Sequence, residues 1–171
     1  FGCQAELANL TTSYIKSDSN TIVTRNAESC TDAGNVNVFN SLEGVLYAEI
    51  SALSDSLTYR LISISDGTND NRILLGYRNT SNIIYIAVRS QTSTILTINY
   101  SVSDITELNK IGFKYKANDF SLYVNGIEAQ SITNGNTPIG LNKLSFDGGT
   151  GADTFFGNVK DLRYYDTALT D

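Results

Sequence analysis

Lys110-Ile111-Gly112-Phe113-Lys114-Tyr115-Lys116-Ala117-Asn118-Asp119-Phe120-Ser121-Leu122-Tyr123-Val124-Asn125-Gly126 is the stretch that decides the fold. Ile111, Phe113 and Tyr115 fall on one side of an extended chain, and Lys110, Lys114 and Lys116 fall on the other. A period of two is the signature of a strand with one dry and one wet face. After the turn at Ala117-Asn118-Asp119 the pattern resumes, with Phe120, Leu122 and Val124 dry. Asn125-Gly126 then marks a tight hairpin, because both central residues of such a turn need a positive φ.

Outward from this hairpin the same reading repeats. Glu43 to Leu53 alternates, with Leu46, Ala48 and Ile50 inward, and Tyr59 to Ser65 follows with Ile62 and Ile64 inward. Further strands are expected at Arg72–Arg78, Ile83–Arg89 and Ile95–Val102. Between them stand turn formers: Ser65-Asp66-Gly67, Asn79-Thr80-Ser81-Asn82, Asn134-Gly135-Asn136 and Gly148-Gly149. No long window has helical periodicity. The pattern predicts an all-β domain, a two-sheet antiparallel β-sandwich or jelly roll over residues 34–171, preceded by a polar strap at residues 1–33.

Composition narrows the function. The 171 residues carry a net charge of −6, which opposes phosphate and argues against nucleic acid and anionic membranes as partners. No apolar run approaches the roughly 20 residues of a spanning helix. His is absent, so the commonest general base and metal ligand is missing; Trp is absent, so sugar stacking would fall to Tyr or Phe. The lack of Met and the opening at Phe1 imply a piece of a longer polypeptide. The two cysteines, Cys3 and Cys30, lack the spacing of a zinc site; they read either as a disulfide tying strap to domain or as two separate thiols. The compartment stays open on this ground.

The segments Lys110–Tyr115 and Asp119–Gly126 resemble the laminin-G-like, concanavalin-A-like lectin signature, in which a strand leads into a "lYvNG" hairpin. The run Phe155-Phe156-Gly157-Asn158-Val159-Lys160-Asp161-Leu162-Arg163-Tyr164-Tyr165-Asp166-Thr167-Ala168-Leu169 resembles that family's closing strand. For Val159 and Leu162 to share a face a bulge must intervene, and Gly157 fits a close backbone approach. The opening, Phe1-Gly2-Cys3-Gln4-Ala5-Glu6 and Thr12-Ser13-Tyr14-Ile15, is similar to a segment preceding such domains in phage tail-fibre and other virion proteins, although Lys16 replaces the usual proline. These resemblances imply a non-catalytic recognition or structural module, virion-borne or extracellular. Its partner would be a cell-surface polysaccharide or another virion protein, with homo-oligomers formed through the parent protein. The alternative is a carbohydrate-binding module appended to a secreted bacterial enzyme or adhesin.

Candidate chemistry is sparse. Arg72, Tyr77, Tyr85 and Arg89, on two adjacent strands, are the expected glycan-contacting residues. The resemblance also implies a calcium ion at the sandwich rim, for which Asp66, Asn69, Asp70, Asp147 and Asp153 are the loop oxygens available. Gly148 to Phe156 fits a calcium-binding nonapeptide, but that pattern works by stacking many copies, so one copy reads as a glycine-rich loop. Glu49 stands alone among Ala and Ile, without the second acid that glycoside hydrolysis requires. The expectation is no enzyme.

Overall fold

The computed structural model describes residues 30–168. Ten strands follow in chain order: β1 (Glu43–Ala52), β2 (Arg60–Ser65), β3 (Arg72–Tyr77), β4 (Ile83–Ser90), β5 (Ser93–Ser101), β6 (Asn109–Lys116), β7 (Asp119–Val124), β8 (Ile127–Ile132), β9 (Lys143–Ser145) and β10 (Gly157–Tyr165). They form two five-stranded antiparallel sheets. Sheet I has the order β10-β1-β6-β7-β8, and sheet II the order β5-β4-β3-β2-β9. Residues 30–33, at the end of the expected strap, run beside β9, where Ala33 and Leu144 exchange backbone hydrogen bonds.

One core lies between the sheets. Leu46, Ala48, Ile50, Ile111, Phe113, Tyr115, Phe120 and Leu122 reach it from sheet I, and Ile62, Ile64, Ile73, Leu75, Ile84, Ile86 and Val88 from sheet II. The sheet I positions, with Ile62 and Ile64, are those the alternation marks as dry. Burying each large aliphatic or aromatic side chain is worth roughly 1.5–3 kcal/mol, which makes the face assignment of every strand stiff against a one-residue slip. Asn125 (φ +52°) and Gly126 (φ +85°) make the β7–β8 turn. The expected bulge is present: Glu49 pairs with Asp161 and Ile50 with Val159, leaving Lys160 as the extra residue. A side chain at Gly157 would strike the Ser51 carbonyl oxygen at 2.2 Å, so the closing strand needs glycine to enter the sheet.

Two expectations are corrected. Tyr77 is wholly buried, and its hydroxyl donates to the Ile50 carbonyl oxygen across the sandwich at 2.9 Å. It has the parity of Ile73 and Leu75 on β3, so it faces the core while Arg72 faces out; it is not a glycan contact. Lys114, expected on a wet face, is also buried, its ammonium held 3.0 Å from the Asp119 carboxylate. The outer surface of sheet I is thus partly covered by its own side chains.

Candidate functional site

The outer face of sheet II is laid out by register. Leu61, Gly76, Tyr85 and Asn99 form one cross-strand row; Ser63, Leu74, Ala87 and Thr97 form the next; Ser65, Arg72, Arg89 and Thr94 form the third. Leu61, Leu74 and Ala87 are a second, small apolar cluster, with Tyr59 and Tyr85 packed against it. Gly76 permits this layout, because a Cβ there would lie 2.0 Å from the Arg60 carbonyl oxygen.

The glycine-rich loop forms one wall. Leu61 N–H donates to the Asp153 carbonyl oxygen at 3.0 Å, and Leu61 bridges Thr154 in parallel. Gly149, at φ +96°, lies so close to β2 that an added Cβ would meet the Ser65 hydroxyl at 3.2 Å and the Ser63 hydroxyl at 3.5 Å. The loop closes on itself, with Gly148 N–H donating to the Ala152 carbonyl at 2.6 Å and Gly149 N–H to the Asp147 carboxylate at 2.5 Å.

In the third row, next to this loop, Arg72 and Arg89 stand directly across from each other. Arg72 donates to the Gly148 carbonyl and Arg89 to the Thr92 carbonyl, while the Nε of each is buried with no partner. Among the described residues no carboxylate forms an ion pair with either. Burial, and then the charge of Arg89, push the Arg72 pKa down. Two guanidiniums face each other with no ion-paired carboxylate, the Asp153 charge acting on Arg72 only at longer range, and such a pair can hold an anion. Tyr85 supplies an aromatic surface two rows away on the same face, within electrostatic reach of Arg72. Its ring meets Tyr59 edge-on at 5.4 Å, and the Arg78 guanidinium lies 6.0 Å from its centre. Burial raises the Tyr85 pKa, keeping its hydroxyl protonated and able to donate.

Of the four expected glycan contacts, Arg72, Tyr85 and Arg89 share the outer face of sheet II, the arginines directly paired and Tyr85 two rows away, and Tyr77 does not share it. Tyr59, Arg78 and the loop wall were not foreseen; Tyr59 carries a signal, having the parity of Leu61 just before β2. The five expected calcium oxygens are engaged elsewhere, the Asp153 carboxylate lying toward Gly148 and the Arg72 charge. Asp66 spends both carboxylate oxygens on Thr68 and Asn71. Burial works to raise its pKa, but these hydrogen bonds outweigh it and hold the carboxyl below its ordinary range. Asn69 reaches only the Thr150 hydroxyl, at 3.5 Å, Asp70 accepts Thr92 N–H through its backbone oxygen, and Asp147 caps Gly149. Among the described residues no three Asp, Glu, His or Cys side chains stand close enough to hold an ion. Those loop oxygens, as arranged, do not fit calcium. Cys3, half of the expected disulfide, lies outside the described residues; Cys30 packs half-buried against the core.

Two stacked antiparallel sheets, with arginine and tyrosine on one outer face and a glycine loop folded over it, define a lectin-type sandwich. The chain belongs to the concanavalin A-like lectin/glucanases superfamily, whose family model matches residues 47–171. Solved structures share the fold at low identity. The CBM40 of the Ruminococcus gnavus IT-sialidase, bound to α2,3-sialyllactose, is 17% identical with a TM-score of 0.66, over 85% of this chain and 92% of that one. Domain 4 of AbnA, a GH43 extracellular arabinanase from Geobacillus stearothermophilus in complex with arabinotriose, is 15% identical with a TM-score of 0.60, over 78% and 65%. The carbohydrate-binding module CBM66 from Bacillus subtilis is 10% identical with a TM-score of 0.53, over 72% and 75%. Among curated protein sequences there is no match.

Proposed function

We propose that this domain is a non-catalytic glycan-binding module whose outer sheet II face holds an acidic sugar unit. The observation that carries the reading is the facing pair Arg72 and Arg89, without an ion-paired carboxylate, on the same sheet face as the Tyr85 ring. A carboxylate on the sugar accepts from the guanidinium edges, and the sugar's C–H face packs on Tyr85. Tyr59, Leu61 and the 147–154 loop bound the site. The carbohydrate-binding names of the structural relatives support the same class of ligand.

The parent we infer is a phage tail fibre or spike, with the module contacting host-surface polysaccharide. The similarity at Phe1–Ile15 supports this, and many copies would raise a weak single-site affinity. The sialidase and arabinanase settings of the relatives favour a second reading, a module appended to a secreted polysaccharide-active enzyme or adhesin. Both place it outside the cell or on a virion. The third reading is a purely structural virion component.

The test is a glycan array probed with the full chain and with the Arg72→Gln and Arg89→Gln variants. A charge-assisted hydrogen bond is worth about 1.5–3 kcal/mol, so each variant should weaken binding to carboxylated glycans at least about tenfold. Binding by none of the three to any glycan would leave the structural reading standing. Equal binding by all three would remove the arginines from the site.

A further inference from the structure

The opposite face is built differently. On the outer surface of sheet I, Arg163, Tyr47, Gly112 and Tyr123 form one cross-strand row over β10, β1, β6 and β7. A hollow of about 400 Å³ opens over this row, lined also by Lys114 and Tyr165. Ligand pockets run from about 300 to 1,000 Å³, so its size suits one or two sugar rings.

Gly112 gives the hollow its meaning. Glycine inside a strand weakens the sheet and needs a reason: a bulge, a close backbone approach, or a ligand. At Gly44, Gly76 and Gly157 the reason is steric, since a Cβ would lie within 2.7, 2.0 and 2.2 Å of a carbonyl oxygen. At Gly112 the nearest atom to an added Cβ is the Tyr123 Cβ at 3.7 Å, which is ordinary contact. The pairing there is regular on both sides, without a bulge. The fold therefore tolerates a side chain at 112, and its absence serves only the space above it. That space is flanked by Tyr47 and Tyr123, two strands apart, or about 9–10 Å between backbones. This is the width for a single ring set between two side-chain walls.

Charge selects the ligand. Both cations lining the hollow already face carboxylates, Lys114 at 3.0 Å from Asp119 and Arg163 at 2.7 Å from Asp161. The Arg163 guanidinium also lies 6.0 Å from the centre of the Tyr47 ring. A second anion would compete with these pairs, whereas the hydroxyls of an uncharged sugar can share their edges. We infer that the slot over Gly112 is a second binding site, taking one uncharged pyranose ring with its C–H face on tyrosine carbon. The module then holds two unlike sites on its two outer faces, one for an acidic unit and one for a neutral unit.

Nuclear magnetic resonance of the full ¹⁵N-labelled chain tests this, with methyl α-glucopyranoside, methyl α-galactopyranoside, methyl α-mannopyranoside and a neutral trisaccharide of each configuration as probes. Saturable amide shifts centred on Tyr47, Gly112 and Tyr123 are expected with at least one probe, unchanged between low and high salt. Gly112→Val should weaken that binding at least tenfold while leaving the melting temperature at or above the parent value. Tyr165→Ser, which removes one lining side chain but leaves Tyr47, Gly112 and Tyr123 in place, should weaken it less. Arg72→Gln should leave it intact, so loss of the acidic-sugar site does not touch this result. The inference fails if no probe gives saturable shifts here, or if Gly112→Val binds as the parent does. It fails equally if these resonances move with protein concentration or on adding a peptide of residues 1–29, since the slot is then filled by a second copy or by that segment.

Discussion

Replacing Tyr77 by Phe removes one hydroxyl from the middle of the sandwich and nothing else. That hydroxyl donates to the Ile50 carbonyl at 2.9 Å and accepts from Asn109 Nδ2 at 3.5 Å, in a site with no solvent exposure. Leaving a buried carbonyl without its donor costs about 1–3 kcal/mol. For a domain of this size each kcal/mol moves the melting temperature by about 2–4 °C, so a drop of roughly 4–8 °C is expected near the middle of that range. Alkaline pH provides an internal check. Burial pushes the Tyr77 pKa up to about 12, so the folded state keeps its proton after the unfolded tyrosine, near 10, has lost it. The stability this tyrosine supplies is complete below pH 10 and falls as pH rises toward 12, at up to about 1.4 kcal/mol per unit. Urea unfolding of parent and variant at pH 7 and pH 11 should therefore show a gap of about 2 kcal/mol at neutral pH that shrinks by about 1.4 kcal/mol at the higher. Glycan affinity should be unchanged at pH 7. A variant as stable as the parent but defective in binding would refute the placement of Tyr77 in the core.

Three further outcomes are expected. Gly76→Ala forces a Cβ to 2.0 Å from the Arg60 carbonyl and should destabilise the fold by more than about 3 kcal/mol, read by chemical denaturation; a neutral result contradicts the strand spacing at the floor of the candidate site. Binding of acidic glycans should weaken steeply from low to high salt, because the site is an arginine pair with no ion-paired carboxylate, and calorimetry at two ionic strengths checks it. Chelation with EDTA should alter neither melting temperature nor affinity, since the loop oxygens are spent on their own turns; a clear loss would restore the calcium expectation.

The fold was legible because its information is local. Alternation at Lys110–Lys116 and Asp119–Val124, a turn that demands positive φ, and a closing strand needing one extra residue each admit a single solution. The bulge at Lys160 followed from the demand that Val159 and Leu162 both reach the core. The site was legible only where parity was respected. Arg72 and Arg89 share a face with Tyr85, and the structure pairs the two arginines across β3 and β4. Tyr77 is odd-numbered on the strand where Arg72 is even, so parity places it in the core with Ile73 and Leu75. What local pattern cannot report is which distant segment covers a face. The 147–154 loop crosses sheet II because of contacts with Leu61 and Arg72 some 76–92 residues away. Nor can spacing alone show that Lys114 is buried, since that depends on Asp119 reaching across the hairpin to meet it.

A backbone-amide titration of the full chain with 3′-sialyllactose tests the recognition face most directly. Shifts are predicted at Arg72, Tyr85, Arg89 and Gly148 on one surface of sheet II. A bound sugar whose perturbations lie wholly elsewhere, or saturating acidic glycan with those four amides unmoved, would contradict it.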